Sequence, residues 1–178
     1  MFKTKPLLIM IILSMFLVNG AKAMFGVPEI QTDNKQTFIT SMNKCIDKIY
    51  YNQDESRHFP RELIIAQAIL ESSWGKSRFA NEANNLFGIR TWNEDTPHVK
   101  PVTHDNIWYG WGVKAYDYKC DSVNDVVRIL NDLHYYESLR KARDNGADAT
   151  ELVYHLQSFS TNPEYGNLLK GIILSEIQ

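Results

Sequence analysis

Leu63-Ile64-Ile65-Ala66-Gln67-Ala68-Ile69-Leu70-Glu71-Ser72-Ser73-Trp74-Gly75 reads as a helix that is apolar on almost every side. Such a helix is normally buried in the middle of a domain, so this stretch marks the centre of the fold. Helical spacing stacks Ile64, Ala68, Glu71 and Trp74 on one stripe, with Gln67 beside them. Pro60 stands where the first turn begins, and Gly75 is the expected terminator. Glu71 is the acid that does not belong. Desolvation raises the pKa of an unpaired carboxyl in such a place, and an acid that keeps its proton near neutrality suits general acid chemistry. A buried Glu with a tryptophan nearby is the pattern of a glycosidase acid. A structural ion pair with Arg78 or Arg90 explains the same residue, and on chemistry alone the two readings stand level.

The stretch before it predicts a helix from Asp33 to about Tyr51, with Asp33 and Gln36 as a capping box. Phe38, Met42, Cys45 or Ile46, and Ile49 form its buried stripe. Residues 24–32 read as a loose leader. Upstream, Lys3 and Lys5 precede an apolar run from Leu7 to Val18, and Ala21-Lys22-Ala23 closes it. This is the pattern of a secretory signal cleaved after Ala23. A membrane anchor needs roughly 20 apolar residues, more than this run supplies. The expected location is therefore periplasmic or secreted, with no stable membrane anchor after cleavage.

The chain has 178 residues, 19 basic and 21 acidic side chains, and a net charge of −2. Taking away residues 1–23, with three lysines and no acid, leaves 155 residues and a net charge of −5. That length suits one domain with a real core. The charge argues against nucleic acid or an anionic membrane as the main partner. An even cysteine count in an exported chain tilts the reading toward a Cys45–Cys120 bridge over two separate buried thiols.

Beyond Gly75 the character changes. Residues 89–119 carry prolines, charges and aromatics without helical period, and read as a small β-rich excursion of a hairpin or two. A strand is expected over Val113–Lys119. Helical pattern resumes at Ser122, with Val123, Val126, Val127, Leu130 and Leu133 on one side. Further helices are expected from about Tyr136 to Asp144 and over 149–158 behind an Asp148 cap. A last one opens at Asn162-Pro163, with Leu168, Leu169, Ile172, Ile173 and Ile177 facing the core.

The five histidines, His58, His98, His104, His134 and His155, show no metal-ligand spacing, and neither a nucleophile elbow nor a phosphate loop is present. An acid-driven reaction without a cofactor is what the residues offer. Trp74, Trp92, Trp108, Tyr109, Trp111, Tyr116 and Tyr118 cluster around the excursion. Such rings suit stacking on sugars or filling a small β core, and the second use is expected of Tyr116 and Tyr118.

AQAILESSWGKSRFA (66–80), then NNLFGIRTW (84–92), then FSTNPEYGNLL (159–169) resemble, in order and spacing, the bacterial peptidoglycan N-acetylglucosaminidases. The similarity runs from about Phe59 to Ile177, and the long helical stretch 122–158 resembles the Bax-type branch more than the flagellar one. The resemblance implies a mainly α (α+β) lysozyme-like fold, a helical lobe and a small β-hairpin lobe flanking a substrate cleft. With the signal over 1–23, the remaining chain divides into a leader and N-terminal helix over 24–58 and, where the resemblance runs, a catalytic domain over 59–178. It implies an exported endo-β-N-acetylglucosaminidase that cuts the β-1,4 bond of glycan strands. Glu71 maps onto the catalytic acid, and Tyr165 onto a phenol beside it. Trp74, Asn85, Phe87, Gly88 and Trp92 are the expected substrate-binding residues, with Asn85, Phe87 and Gly88 in the cleft floor. Phe159 departs from the tyrosine that many relatives carry there. The candidates for a second carboxylate are Glu94, Asp95 and Asp105, each of which taken singly reads more readily as a solvated loop charge, and attack by the substrate's own acetamido group would need none of them. Two rivals stand beside this reading: a lytic transglycosylase of the same fold superfamily, and an inactive peptidoglycan-binding or scaffold module.

Overall fold

The computed structural model describes residues 26–101, 108 and 110–177. Residues 1–23, expected above to be a signal, lie outside the described residues, as do Tyr109 and Asp105.

Helix α1 (Lys35–Tyr51) begins one residue later than expected, because Asn34 rather than Asp33 caps it. The Asn34 side chain accepts from the Thr37 backbone N–H at 2.9 Å, and the Thr37 hydroxyl accepts from the Asn34 N–H at 3.2 Å. Both leading donors are thereby satisfied. Phe38, Met42, Cys45, Ile46 and Ile49 all face the core as the periodicity predicts. The leader is not loose over 26–32. Ile30 is buried, and the Gln31 N–H donates to the Ser41 hydroxyl at 2.9 Å.

Helix α2 (Arg61–Ser72) is buried continuously from Leu63 to Ile69. It ends at Ser72, three residues before the expected stop. The Ser72 hydroxyl donates to the Ala68 carbonyl and accepts from the Gly75 N–H at 2.7 Å. The backbone then runs left-handed through Ser73, Trp74 and Gly75, with φ of 50°, 63° and 75°. Two of these residues have a Cβ, so the turn is strained and must be held by its surroundings. At Gly75 a Cβ would lie 2.6 Å from the Thr32 methyl, so glycine is required there on two counts. Trp74 consequently leaves the Glu71 stripe.

A short helix α3 (Arg78–Glu82) leads into three antiparallel strands, β1 (Arg90–Thr91), β2 (His98–Val99) and β3 (Gly112–Lys114), in the order β1-β3-β2. Val113 stands opposite both Arg90 and Val99. Strand β3 stops at Lys114 instead of reaching Lys119, because the Tyr116 N–H donates to the Ala83 carbonyl of the helical body at 2.9 Å. Tyr118 is exposed and does not fill the small β core.

Helix α4 (Lys119–Asp132) starts three residues earlier than expected, since the Asp121 carboxylate accepts the Tyr118 N–H at 3.1 Å. It buries Val123, Val126, Val127 and Leu130, whereas Leu133 lies past its end, partly exposed. Cys45 and Cys120 are bridged, joining α1 to the first turn of α4 across 75 residues. Helix α5 (Glu137–Asp144) matches expectation. Helix α6 (Ala149–Leu152) tightens into a 3-10 turn and finishes at His155, short of 158. Helix α7 (Tyr165–Ile172) runs on as a π turn to Ile177. Its buried stripe is Tyr165, Leu169 and Ile173, four residues apart, which turns Leu168 outward. Helices α2 and α7 pack together, and one hydrophobic core runs from Ile30 to Ile173. The body is helical with one small antiparallel lobe, as the sequence predicts.

Candidate active site

The packing of α2 on α7 brings two sequence-distant residues together. Tyr165, the first residue of α7, donates its phenolic hydrogen to Glu71 Oε1 at 2.8 Å. Glu71 sits on the last turn of α2 and is half-buried. Burial pushes its carboxyl above the ordinary glutamate range, and the Tyr165 hydrogen bond offsets part of that rise. Burial also pushes the Tyr165 phenol upward, and the Glu71 charge adds to it, so the phenol stays a hydrogen-bond donor across the working range of pH. The Phe159 ring lies nearly parallel to that of Tyr165, with centroids 6.0 Å apart and planes 11° apart. In place of a hydroxyl, Phe159 therefore gives the tyrosine a flat apolar support.

Neither arginine reaches Glu71. Arg78 pairs with Glu82 at 2.9 Å and donates to the carbonyls of Lys100 and Pro101. Arg90 lies over the Trp111 ring, 4.2 Å from its centroid. Among the described residues Glu71 has no salt-bridge partner, which removes the physical basis of the ion-pair reading.

The other expected site residues make contacts of their own. The Trp74 ring meets the edge of Phe38 at 5.8 Å and carries the Lys35 ammonium 5.0 Å from its centroid. Asn85 is buried and fully engaged. Its amide donates to the carbonyls of Ile89 (2.9 Å) and Lys114 (2.8 Å), and its oxygen accepts from the N–H groups of Phe87 (3.2 Å) and Ile89 (3.1 Å). Those bonds fasten the 85–89 turn to β3 and leave no Asn85 donor for a sugar. Phe87 is core, and Gly88 supplies a left-handed φ of 66°. Trp92 is 71% exposed at the end of β1, a free flat ring. Glu94 and Asp95 are exposed on the turn between β1 and β2.

Two residues gain weight from the structure. Gln67, one turn before Glu71, is wholly buried, and its Nε2 lies 3.5 Å from the Tyr165 oxygen. A buried amide in an all-apolar run is a signal the sequence carried. Asp125 is buried on α4 and accepts from Lys114 at 2.6 Å, Tyr116 at 2.8 Å and Arg128 at 2.8 Å. Burial alone would raise the Asp125 carboxyl, but those three donors outweigh it and hold it below its usual range. It clamps β3 to the helical body, a long-range role that composition does not reveal.

Chemically, the arrangement is a carboxyl without a counter-ion among the described residues that binds its proton tightly, with a phenol ready to stabilise the anion once the proton leaves. A hollow of about 540 Å³ beside α1, lined by Lys44, Asp47, Lys48 and Tyr51, holds neither residue. The site is thus defined by the environment of Glu71, not by that hollow. Among the described residues no group of three or more His, Cys, Asp or Glu is placed to hold a metal ion, and no helix is long and apolar enough to cross a membrane.

Residues 47–177 match the family model described as mannosyl-glycoprotein endo-beta-N-acetylglucosaminidase. The exo-glucosaminidase LytG of Bacillus subtilis is 43% identical over 154 residues, covering 80% of this chain and 52% of the relative. The peptidoglycan hydrolase FlgJ of Vibrio parahaemolyticus is 29% identical over 144 residues, covering 76% of this chain and 45% of the relative. This chain therefore spans about half the length of the curated relatives it matches. Among solved structures, the catalytic domain of the autolysin Auto from Listeria monocytogenes superposes with a TM-score of 0.61 at 26% identity, covering 93% of this chain and 94% of that one.

Proposed function

The chain belongs to the mannosyl-glycoprotein endo-beta-N-acetylglucosaminidase family, and on that premise we propose that it is an exported peptidoglycan hydrolase with Glu71 as its general acid. Glu71 gives its proton to the glycosidic oxygen of a β-1,4 bond on the reducing side of N-acetylglucosamine. The bond to the anomeric carbon breaks, and the leaving sugar departs as an alcohol. Water, or first the substrate's acetamido oxygen and then water, takes the vacated position. Tyr165 stabilises the carboxylate left behind through its phenolic hydrogen bond. Trp92 offers a stacking face for the strand, and Glu94, Asp95 and Asp105 are the candidates to activate the water.

The observation that carries this reading is the half-buried Glu71 carboxyl, bonded to Tyr165 at 2.8 Å and without a cationic partner among the described residues. The LytG relative, named as an exo-glucosaminidase, supports a second reading in which the same acid trims strand ends. Digestion of purified sacculi followed by mass spectrometry tests both. Longer saccharides ending in reducing N-acetylglucosamine support internal cutting, and release of the monosaccharide supports the exo mode. A 1,6-anhydro product would overturn hydrolysis in favour of transglycosylation, and binding without release would identify an inactive wall-binding module. Export places the protein in the periplasm or outside the cell, where its partner is the glycan strand.

A further inference from the structure

We propose that Gln67 is a positioning residue for Glu71: its amide N–H engages the Tyr165 oxygen and aims the phenolic hydrogen at the carboxyl. The inference rests on the general-acid reading of Glu71 and adds a member that does not touch the substrate.

Three observations lead to it. Gln67 and Glu71 lie four residues apart on α2 and so face the same way, while Tyr165 comes from the facing end of α7. The Gln67 Nε2 is 3.5 Å from the Tyr165 oxygen, a long contact, and Tyr165 in turn is 2.8 Å from Glu71. A phenol has one hydrogen; with that hydrogen on Glu71, its oxygen is free to accept, and the Gln67 amide is the donor at hand.

The third observation is what the arrangement costs. Gln67 is wholly buried, and its Oε1 has no hydrogen-bond partner among the described residues. Leaving a carbonyl oxygen unpaired in the interior destabilises a fold, and an apolar residue of similar shape would avoid the loss. Turning the amide over would put that oxygen against the phenol, where it would compete with Glu71 for the one hydrogen. The glutamine is thus placed against stability and in favour of one hydrogen-bond direction. Donation into the phenol oxygen polarises its O–H, so the bond to an ionised Glu71 is strengthened and the carboxylate is stabilised.

Among the described residues the titratable groups facing this chain of bonds are few. Glu71 comes from α2 and Tyr165 from α7, and the Tyr136 phenol, at the start of α5, is close enough to act on Tyr165 electrostatically. The shift expected on removing Gln67 therefore belongs to Glu71.

Gln67→Met keeps the volume and removes the orphaned carbonyl, so the variant should melt no lower than the parent protein. The probe is the δ-carboxyl signal of Glu71, followed by ¹³C NMR titration and identified by its loss in Glu71→Gln. In Gln67→Met the midpoint should move to higher pH, in the same direction as Tyr165→Phe and by less. In the Gln67→Met, Tyr165→Phe double variant it should stand where Tyr165→Phe alone puts it, because the amide acts only through the phenol. An unchanged midpoint in Gln67→Met, or an equal shift in the Phe background, overturns the proposal. If Gln67→Met fails to fold, Gln67→Leu takes the same titration, and collapse of both assigns the residue to packing alone. Activity of Glu71→Gln on sacculi would sink the general-acid reading, yet the titration would still report on Gln67.

Discussion

Glu71 holds its proton more tightly in the folded chain than in the unfolded one, and this has a consequence for stability. Burial raises the carboxyl, so ionising it costs folding free energy. The cost is absent below the unfolded glutamate value of about 4.3 and fully present above the folded value. Glu71→Gln retains an oxygen to accept from Tyr165 and has no charge to bury. It should therefore melt at a higher temperature than the parent protein at pH 7, with the gain fading as the pH falls below about 4. Equal melting temperatures at both pH values would show that the carboxyl is not desolvated. Tyr165→Phe works in the opposite sense on chemistry. It deletes the one bond that lowers the Glu71 value, so the basic limb of the activity profile should move to higher pH while the maximal rate falls roughly 10²-fold. A profile of unchanged shape would place Tyr165 outside the proton-transfer unit.

Among the elements, the β-lobe has the thinnest support. Among the described residues its three strands total seven residues, and the Asp125 cluster fastens β3 to α4. Asp125 has a lowered folded value, so its stabilisation is complete above the unfolded aspartate value of about 3.9 and is lost as the pH drops through the folded one. Asp125→Ala leaves Tyr116 and Lys114 without their acceptor. It should cost about 2–3 kcal/mol near neutrality, discounted because Lys114 and Arg128 are partly solvated. Its urea midpoint should also vary less between pH 5 and pH 2 than that of the parent protein. Parallel pH dependence in the two would contradict the clamp.

The same elements separate what was legible in the sequence from what was not. The stripes of α1 and α4 follow from period alone, because each residue's face is set by its neighbours in the chain. The stop of α2 at Ser72 was not legible, since it depends on a serine side-chain bond and on left-handed Ser73 and Trp74, conformations that non-glycine residues seldom advertise. For that reason helical spacing alone puts Trp74 on the Glu71 stripe, and the left-handed turn takes it off. Strand β3 was overextended because its end is decided by a bond to Ala83, 33 residues away in the chain. Glu71 stood out as a lone acid in an apolar run. The aim of Gln67 and the clamp at Asp125 could not be read, because both depend on a partner brought in by folding.

At the scale of the whole molecule, one core joins α1 to everything that follows, and the Cys45–Cys120 bridge closes a 75-residue loop around it. Loop entropy assigns such a bridge about 4 kcal/mol. A Cys45→Ala, Cys120→Ala double variant should lose roughly that much in a denaturant titration. A midpoint equal to the parent's would mean that the bridge constrains nothing the core does not already hold. The bridge lies on the α1–α4 side, whereas Glu71 and Tyr165 meet where α2 packs on α7. The double variant should therefore keep its Tyr165–Glu71 pair, and with it the cleavage pattern, at temperatures where it stays folded.

The central claim is that Glu71 supplies the proton that breaks a glycosidic bond in peptidoglycan. Purified sacculi incubated with the parent protein and with Glu71→Gln, followed by mass spectrometry of the released saccharides, test it most directly. The parent protein should release fragments ending in reducing N-acetylglucosamine, and the folded variant should release them roughly 10²–10⁴-fold more slowly. Equal release by the two proteins would contradict it.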